Sequence, residues 1–408
     1  SGSIIMPSMT ACGAPYDNVG VKFTPDWTTH TKTINGETPG QTVTDVMQRG
    51  DVWLVSAEAD SSDLAGSKWV SSKPVAVVSG NYGGLIPLGS TSINPLMEME
   101  IPSFTWGKDY PVPVIPGRKN PPVIRIFAKE KNTIIYRDGE EIGNLSTAGG
   151  LINEGWMEIR LNPAGNVPAS AVISGDKPIG VAMYNPGNEG DTLTSQVSEP
   201  FSCSIISTNG YSKNSTVCVF NIDESATNHY FNLIYRATDS NSINKIEISR
   251  PQNGANVWEK LSDLYPGAGY KLPVTIEGFG YYAKNIEVKD TGVYRISAKE
   301  PFTVYSYGST ITGEGRPYAH PAAIGLFDAE KPDTMPPVPY YTVCCCCGKT
   351  HDAAVRDMPE DSEIRSNMAS IIIDTENSYN FVFKHEDFIP GQQRSEERRV
   401  GKECRSRW

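Results

Sequence analysis

The residues with the most obvious chemical capacity are four consecutive cysteines, Cys344-Cys345-Cys346-Cys347, with His351 close behind. Thiolates and imidazoles are zinc ligands. Neighbouring residues on a strand face opposite ways, however, so four in a row do not converge readily on one tetrahedral ion. The spacing of two cysteines, a gap and a second pair is also missing, so packing or pairing is the better reading and no metal or cofactor is assigned. Cys12 stands alone. Cys203 and Cys218 flank Asn209-Gly210-Tyr211-Ser212, which suits two strands joined by a loop and makes them a disulfide candidate. The five histidines, His30, His229, His320, His351 and His385, are scattered without ligand spacing. They read as surface or hydrogen-bonded structural residues. Glu58-Ala59-Asp60-Ser61-Ser62-Asp63 lacks the glycine and terminal glutamate of a calcium loop and reads as a solvated acidic turn. Glu140 and Glu141 point to opposite faces if extended, so they do not work together as acid and base. No nucleophile elbow, phosphate loop or zinc helix occurs, and no catalytic residue is assigned.

What remains is recognition. Tyr305-Ser306-Tyr307-Gly308, followed by Gly315-Arg316-Pro317-Tyr318-Ala319-His320-Pro321, concentrates residue types that dominate interface energetics. Tyr307, Arg316 and Tyr318 are the candidate binding residues, with Trp106 from an earlier aromatic segment. The competing reading is a proline-aromatic loop that only closes the last unit.

These residues have to be held by strands. One pattern occurs three times: Ser71-Ser72-Lys73-Pro74-Val75-Ala76-Val77-Val78, then Ser174-Gly175-Asp176-Lys177-Pro178-Ile179-Gly180-Val181, then Ser297-Ala298-Lys299-Glu300-Pro301-Phe302-Thr303-Val304. Each reads as a polar turn feeding a buried strand. Alternating runs such as Ile124–Ala128 and Trp156–Leu161, and the Asp138-Gly139 turn between Thr133–Tyr136 and Glu140–Ile142, add further strands and a hairpin. The one short helical candidate is Trp258–Leu264. Repeated strands without intervening helices predict an all-β fold of three tandem antiparallel β-sandwich-like repeats, at about residues 16–123, 124–230 and 231–332. A propeller is the alternative, although blades repeat at about 40–50 residues. The segment from Asn81 to Val123 reads as a proline-rich ordered loop over a sheet. Residues 332–338 read as a linker into a smaller, truncated Ig-like β domain at 333–393.

The chain has 408 residues, with 37 Gly and 30 Pro, which favours turns and short strands. No window is apolar for long enough to form a membrane-crossing helix. Residues 1–15 read as a fragment leader whose true start and export signal lie elsewhere. Residues 394–408, Arg394-Ser395-Glu396-Glu397-Arg398-Arg399-Val400-Gly401-Lys402-Glu403-Cys404 and on to Trp408, read as a short-read sequencing adapter translated in frame, the mark of a metagenomic fragment. The whole chain carries −11; without that tail, 30 basic residues face 44 acidic ones, a balance of −14. An acidic chain argues against nucleic acid or an anionic membrane surface as a partner.

Lys73-Pro74-Val75-Ala76-Val77-Val78-Ser79-Gly80, Phe104-Thr105-Trp106-Gly107-Lys108-Asp109-Tyr110, Ala128-Lys129-Glu130-Lys131-Asn132-Thr133-Ile134-Ile135 and Tyr318-Ala319-His320-Pro321-Ala322 occur in that order. Together they resemble the N-terminal domain family of the IgG Fc-binding protein, as carried by Bacteroidetes-like bacteria, over about residues 45–325. Asp357-Met358-Pro359 and Arg365–Ser370 resemble the Ig-like module that often follows. The resemblance implies an exported, non-enzymatic protein, extracellular or at the cell surface, with an adhesive role. The repeated β units, the acidic surface and the lack of a catalytic constellation suit a glycoprotein partner, a mucin or immunoglobulin, although the motifs do not themselves imply immunoglobulin binding. Two other readings stand beside it: a structural spacer in a long surface protein, and a polysaccharide-active enzyme, which would need two carboxylates about 5–10 Å apart.

Overall fold

Short β-branched and aromatic runs punctuated by Gly, Pro and Asn fold here into antiparallel strands. The computed structural model describes residues 7–26, 33–58, 63–86, 93–112, 115, 121–146, 155–161, 171–187, 199–221, 227–237, 240–251, 257–267, 269–310, 317–325, 338–341, 351–356, 381–385 and 394–401. The fold is all-β, and no sheet closes into a barrel or propeller among the described residues. The chain divides into two compact units, Ser1–Gly325 and Leu326–Trp408.

The first unit contains one topology three times. Repeat 1 holds β1 (Ser8–Gly13), β2 (Val19–Thr24), β3 (Val43–Met47), β4 (Val52–Ser56), β5 (Lys68–Ser71), β6 (Ala76–Leu85) and β7 (Ile93–Met99). Its sheets run β4-β1-β6-β7 and β3-β2-β5. Repeat 2 holds β8 (Asp109–Val112), β9 (Val123–Ala128), β10 (Thr133–Arg137), β11 (Glu140–Leu145), β12 (Trp156–Arg160), β13 (Ala171–Gly175), β14 (Ile179–Asn185) and β15 (Phe201–Ile205). Its sheets run β12-β9-β14-β15 and β11-β10-β13-β8, the same order shifted by eight strands, with one strand added at the edge.

Repeat 3 holds β16 (Ser212–Val219), β17 (Thr227–Ala237), β18 (Ile246–Ser249), β19 (Glu259–Lys260), the single turn of helix α1 (Leu261–Leu264), β20 (Tyr270–Lys271), β21 (Gly280–Val288), β22 (Gly292–Thr310) and β23 (Pro317–Pro321). Here the two sheets are joined because β22 runs through both. Its residues up to Ala298 pair with β18 and β16, with Ser212 of β16 reaching on to Phe302, and those from Phe302 onward pair with β17 and β23. Pro301 sits at the crossing. Proline has no N–H to give to a ladder, so it fits where the chain leaves one sheet for the other. Pro74 and Pro178 hold the same place between β5 and β6 and between β13 and β14.

The observed repeats begin earlier than the 16–123, 124–230 and 231–332 units placed from the Lys-Pro spacing, because β1, β8 and β16 precede the strands that the pattern shows. The expected loop between Asn81 and Val123 in fact contains β7 and β8. The Asp138-Gly139 hairpin forms between β10 and β11, with φ of 54° and 89° at the two turn residues, the left-handed pair that such a turn requires.

Each repeat has a front face turned into its own sandwich and a back face turned away. The front of repeat 2 contributes Ile124, Ile126, Val181 and Met183, packed with Tyr110, Ile135 and Ile173 of its second sheet. That core continues without a break into the back of repeat 3, through Ile206, Tyr211, Ile234, Tyr305 and Tyr307. Repeat 3 has a second core on its front, built on Phe231, Leu233, Tyr235, Tyr294 and Phe302. Repeat 1 has smaller clusters, where Phe23 packs against Trp53 and Trp69. Its β7 packs against β15, so repeat 1 lies on the back of repeat 2, as repeat 2 lies on the back of repeat 3.

The second unit is a four-stranded antiparallel sheet of β24 (Val338–Tyr341), β25 (His351–Arg356), β26 (Phe381–His385) and β27 (Arg394–Gly401), in the order β24-β25-β27-β26. Residues 394–401, which the sequence reading sets outside the fold, pair on both sides as β27. Cys344–Cys347 lie outside the described residues.

Candidate binding surface

Strands β17, β22 and β23 bring together an aromatic group at one end of the repeat 3 sheet. In β23, Pro317–Pro321, alternation puts Tyr318 and His320 on the same side. Register then places Tyr318 opposite Gly308, which is opposite His229. Gly308 has no side chain to obstruct the Tyr318 ring; a Cβ there would come within 2.7 Å of it. The ring stacks on Phe220 at 6.1 Å and 18° and on His320 at 5.9 Å and 27°. Phe220 is 56% exposed and forms the open part of the platform.

His229 anchors this platform from beneath. It is buried, with Nδ1 2.9 Å from the Tyr318 hydroxyl and Nε2 3.3 Å from Asn221 Oδ1. An amide oxygen only accepts, so Nε2 carries the proton, and Nδ1 accepts from the Tyr318 O–H. Burial lowers the His229 pKa from its ordinary value and favours this neutral ring. Desolvation lowers the His320 pKa and raises the Tyr318 pKa in the same way. The result is a fixed, uncharged aromatic surface with polar edges, which suits apolar side chains, sugar faces and β-sheet surfaces of a partner.

The three described candidates from sequence, Tyr307, Tyr318 and Trp106, do not converge. Tyr318 lies at the centre of this surface. Tyr307 does not, because it is 6% exposed and stacked on Tyr230 at 5.2 Å inside the core shared by repeats 2 and 3. Trp106 belongs to a different place. Its ring covers Gly180, where a Cβ would meet it at 2.6 Å, and its Nε1 donates to the Ile101 carbonyl at 3.2 Å. Arg316 lies outside the described residues. Cys203 and Cys218 are both free thiols, Cys203 buried and Cys218 exposed. They sit on strands of different sheets, β15 pairing with β14 and β16 with β22, so the two-strand pairing expected of them is not formed.

Sequence reasoning passed over Phe220 and His229. His229 was visible only as an isolated histidine, and its partner lies 89 residues away. It also passed over Arg125, which holds repeat 1 to repeat 2. Its guanidinium pairs with Asp63 at 2.7 Å and with Glu158 at 3.1 Å, and it lies over the Trp156 and Tyr184 rings. Among the described residues no group of three or more His, Cys, Asp or Glu is placed to hold a metal ion. No described helix is long and apolar enough to cross a membrane.

The family model described as IgGFc binding protein matches residues 7–308, most of the chain. The chain belongs to the IgGFc-binding protein family. The match takes in β1 through nearly all of β22, so it covers Phe220 and His229, while Tyr318 and His320 lie just beyond it. No curated protein and no solved structure matches the chain. Membership therefore carries the binding-protein class, and the geometry above carries the choice of surface.

Proposed function

We propose that this chain is a non-enzymatic binding protein with an adhesive role, acting outside the cell or on its surface, and that it recognises a glycoprotein of immunoglobulin or mucin type. The Phe220–Tyr318–His320 platform is its contact surface. The observation that carries this reading is the position of the platform within the repeat. β23 corresponds to β7, whose front side, with Asn94 and Leu96, packs on repeat 2, where Asn94 Nδ2 donates to the Pro200 carbonyl. The same side of β23 carries half-buried Tyr318 and His320 beside exposed Phe220 instead. A surface that receives a β-sandwich within the molecule is suited to receiving one from a partner, and immunoglobulin domains are β-sandwiches.

The test is retention of the full chain on immobilised Fc fragment and on mucin, by surface plasmon resonance. Saturable binding to either is expected, and Tyr318→Ala or Phe220→Ala should weaken it about tenfold, the scale of an interface anchor. Absence of binding to both would return the chain to the spacer reading.

A further inference from the structure

We propose that the sheet-crossing end of repeats 2 and 3 forms a basic strip that binds a sulfated glycan chain. Each repeat has a proline where the chain passes between its two sheets, and the residue before that proline is tied to the end of β1, β9 or β17. Lys73 Nζ donates to the Asp17 carbonyl, and Lys177 Nζ to the Lys131 carbonyl, at 2.6 Å each. In repeat 3 the tie is an ion pair, with Glu300 held by Arg236 of β17 at 2.5 Å. Basic residues gather around these ties. Repeat 2 places Lys131 and Lys177 there, with Lys108 at the entry to β8, where its carbonyl accepts from the Gly175 amide at 2.9 Å. Repeat 3 places Lys213 of β16, Lys245 just ahead of β18, and Lys299. Register puts Asn214 opposite Ser297 and Ile246 opposite Ala298, so Lys213 and Lys245 approach Lys299 from the strands on its two sides.

The two groups adjoin. A Cβ on Gly107 would lie 2.7 Å from the Ser207 side chain and 3.4 Å from the Asn209 amide, so the turn that carries Lys108 rests on the turn that leads into Lys213. The carboxylates at this end are largely engaged. Glu300 holds Arg236, and its pKa is lowered chiefly by that hydrogen bond, with the Lys213 and Lys245 charges adding to it. Glu130 stands 4.0 Å from Lys177. Asp176 accepts from the Ile134 amide at 2.7 Å. Half-buried Asp109, with Glu277 near it, accepts from the Ser174 hydroxyl at 2.8 Å. Lys108, Lys131, Lys213, Lys245 and Lys299 are all exposed, and none forms an ion pair among the described residues.

The occupant follows from the kind of charge. An ammonium group is a point charge that suits a tetrahedral anion, whereas a planar carboxylate is matched by a guanidinium fork, and Arg236 is already taken by Glu300. A chain of net charge −11 repels the dense phosphate line of a nucleic acid and the extended face of an anionic membrane. Sulfate esters spaced along a sugar chain meet the local strip without that penalty. The aromatic platform lies at the other end of the sheet, since His229 stands near the start of β17 and Arg236 near its end, so this surface does not depend on it.

The probe is an immobilised heparin octasaccharide, read by surface plasmon resonance with the full chain, beside its de-sulfated form, single-stranded DNA and phosphatidylserine vesicles. Saturable binding to the sulfated sugar alone is expected, weakening as salt rises. Lys245→Gln with Lys299→Gln should weaken it about tenfold, and Lys245→Arg with Lys299→Arg should keep it. Lys22→Gln with Lys289→Gln makes the same change of net charge away from the strip and should leave binding unchanged. All four lysines are exposed, so every variant should keep the wild-type melting temperature. Tyr318→Ala should also leave this binding unchanged, which separates the result from that of the platform. No binding to the sulfated sugar, equal loss in both Gln pairs, loss in neither pair, or equal binding to DNA or vesicles would each overturn the proposal.

Discussion

Glu98 shows how a single side chain records its place in the array. It stands half-buried where β7 meets β15, and its carboxyl pKa rises from 4.5 to about 7. Loss of hydration is the main cause; the Ser204 backbone N–H opposes it and the nearby Glu100 charge adds to it. The folded chain therefore holds a proton there that the unfolded chain releases above 4.5. The stability from this group is full at low pH and is lost as pH rises through about 7. Glu98→Gln should remove that loss, seen as a smaller fall in melting temperature between about pH 4.5 and pH 7. The buried histidine has the opposite sign. His229 is held below its ordinary 6.5 by desolvation, so acid must force a proton onto Nδ1 and break the acceptor that positions the Tyr318 hydroxyl. Retention of partner on the platform should hold at neutral pH and weaken as pH falls below 6.5, and a binding profile run from pH 7.5 to 4.5 checks it. Cys203 and Cys12 are buried thiols with raised pKa values, so neither reacts readily. Site-resolved alkylation of the native chain should label Cys218 quickly and the other two only on unfolding.

At the scale of elements, the strands legible in sequence are those with a strong one-sided pattern. The three Lys-Pro strands, the β10–β11 hairpin and Phe231–Ala237 all announce themselves by alternation or by β-branched runs bounded by turns. β1 does not, because Ser8-Met9-Thr10-Ala11-Cys12-Gly13 is short, small and partly polar. β8 was hidden by Pro111, which reads as a break in a strand. It is tolerated because β8 is the outermost strand of its sheet, where a missing N–H need not leave a partner unsatisfied. The platform was half legible for a related reason. The Tyr318 and His320 alternation could be read locally, but Phe220 and His229 arrive through long-range register that no local pattern contains. The contact between the turn holding Trp106 and β14 is likewise tertiary. It depends on Gly180, since a Cβ there would lie 2.6 Å from the indole. Gly180→Ala should cost about 1–3 kcal/mol by urea unfolding, the range for overpacking a well-filled contact. Trp106→Ala in the same chain should recover part of that loss by relieving the clash, a coupling that a double-mutant cycle would read.

Over the first unit as a whole, the cores are unequal, and cooperativity should follow them. Repeats 2 and 3 share one continuous core that runs from Tyr110 to Tyr307, so neither can open without exposing the other's side chains. Repeat 1 is joined to repeat 2 differently. A small cluster of Ile86, Leu96, Val123 and Tyr184, the Arg125–Asp63 ion pair and the Asn94–Pro200 hydrogen bond make the join. Its own apolar clusters are smaller, and its back face exposes Leu54 and Met99. Local opening free energy scales with the apolar surface exposed on opening. Native-state hydrogen exchange should therefore show β1–β7 exchanging through a cheaper sub-global opening, while β9, β14, β17 and β22 exchange only with the global transition. Asp63→Asn should lower the first without moving the second, because it removes the repeat 1 partner of Arg125 and leaves the Arg125–Glu158 pair of repeat 2 in place. A piece spanning residues 100–325, which keeps the Trp106 turn on Gly180, should fold with the exchange protection that β9, β14, β17 and β22 have in the full chain. A piece ending at 205 should not, because Phe201, Ile205 and the rest of that core would face water where repeat 3 had been. Equal protection across β1–β23 would mean that repeat 1 is coupled far more tightly than these contacts account for.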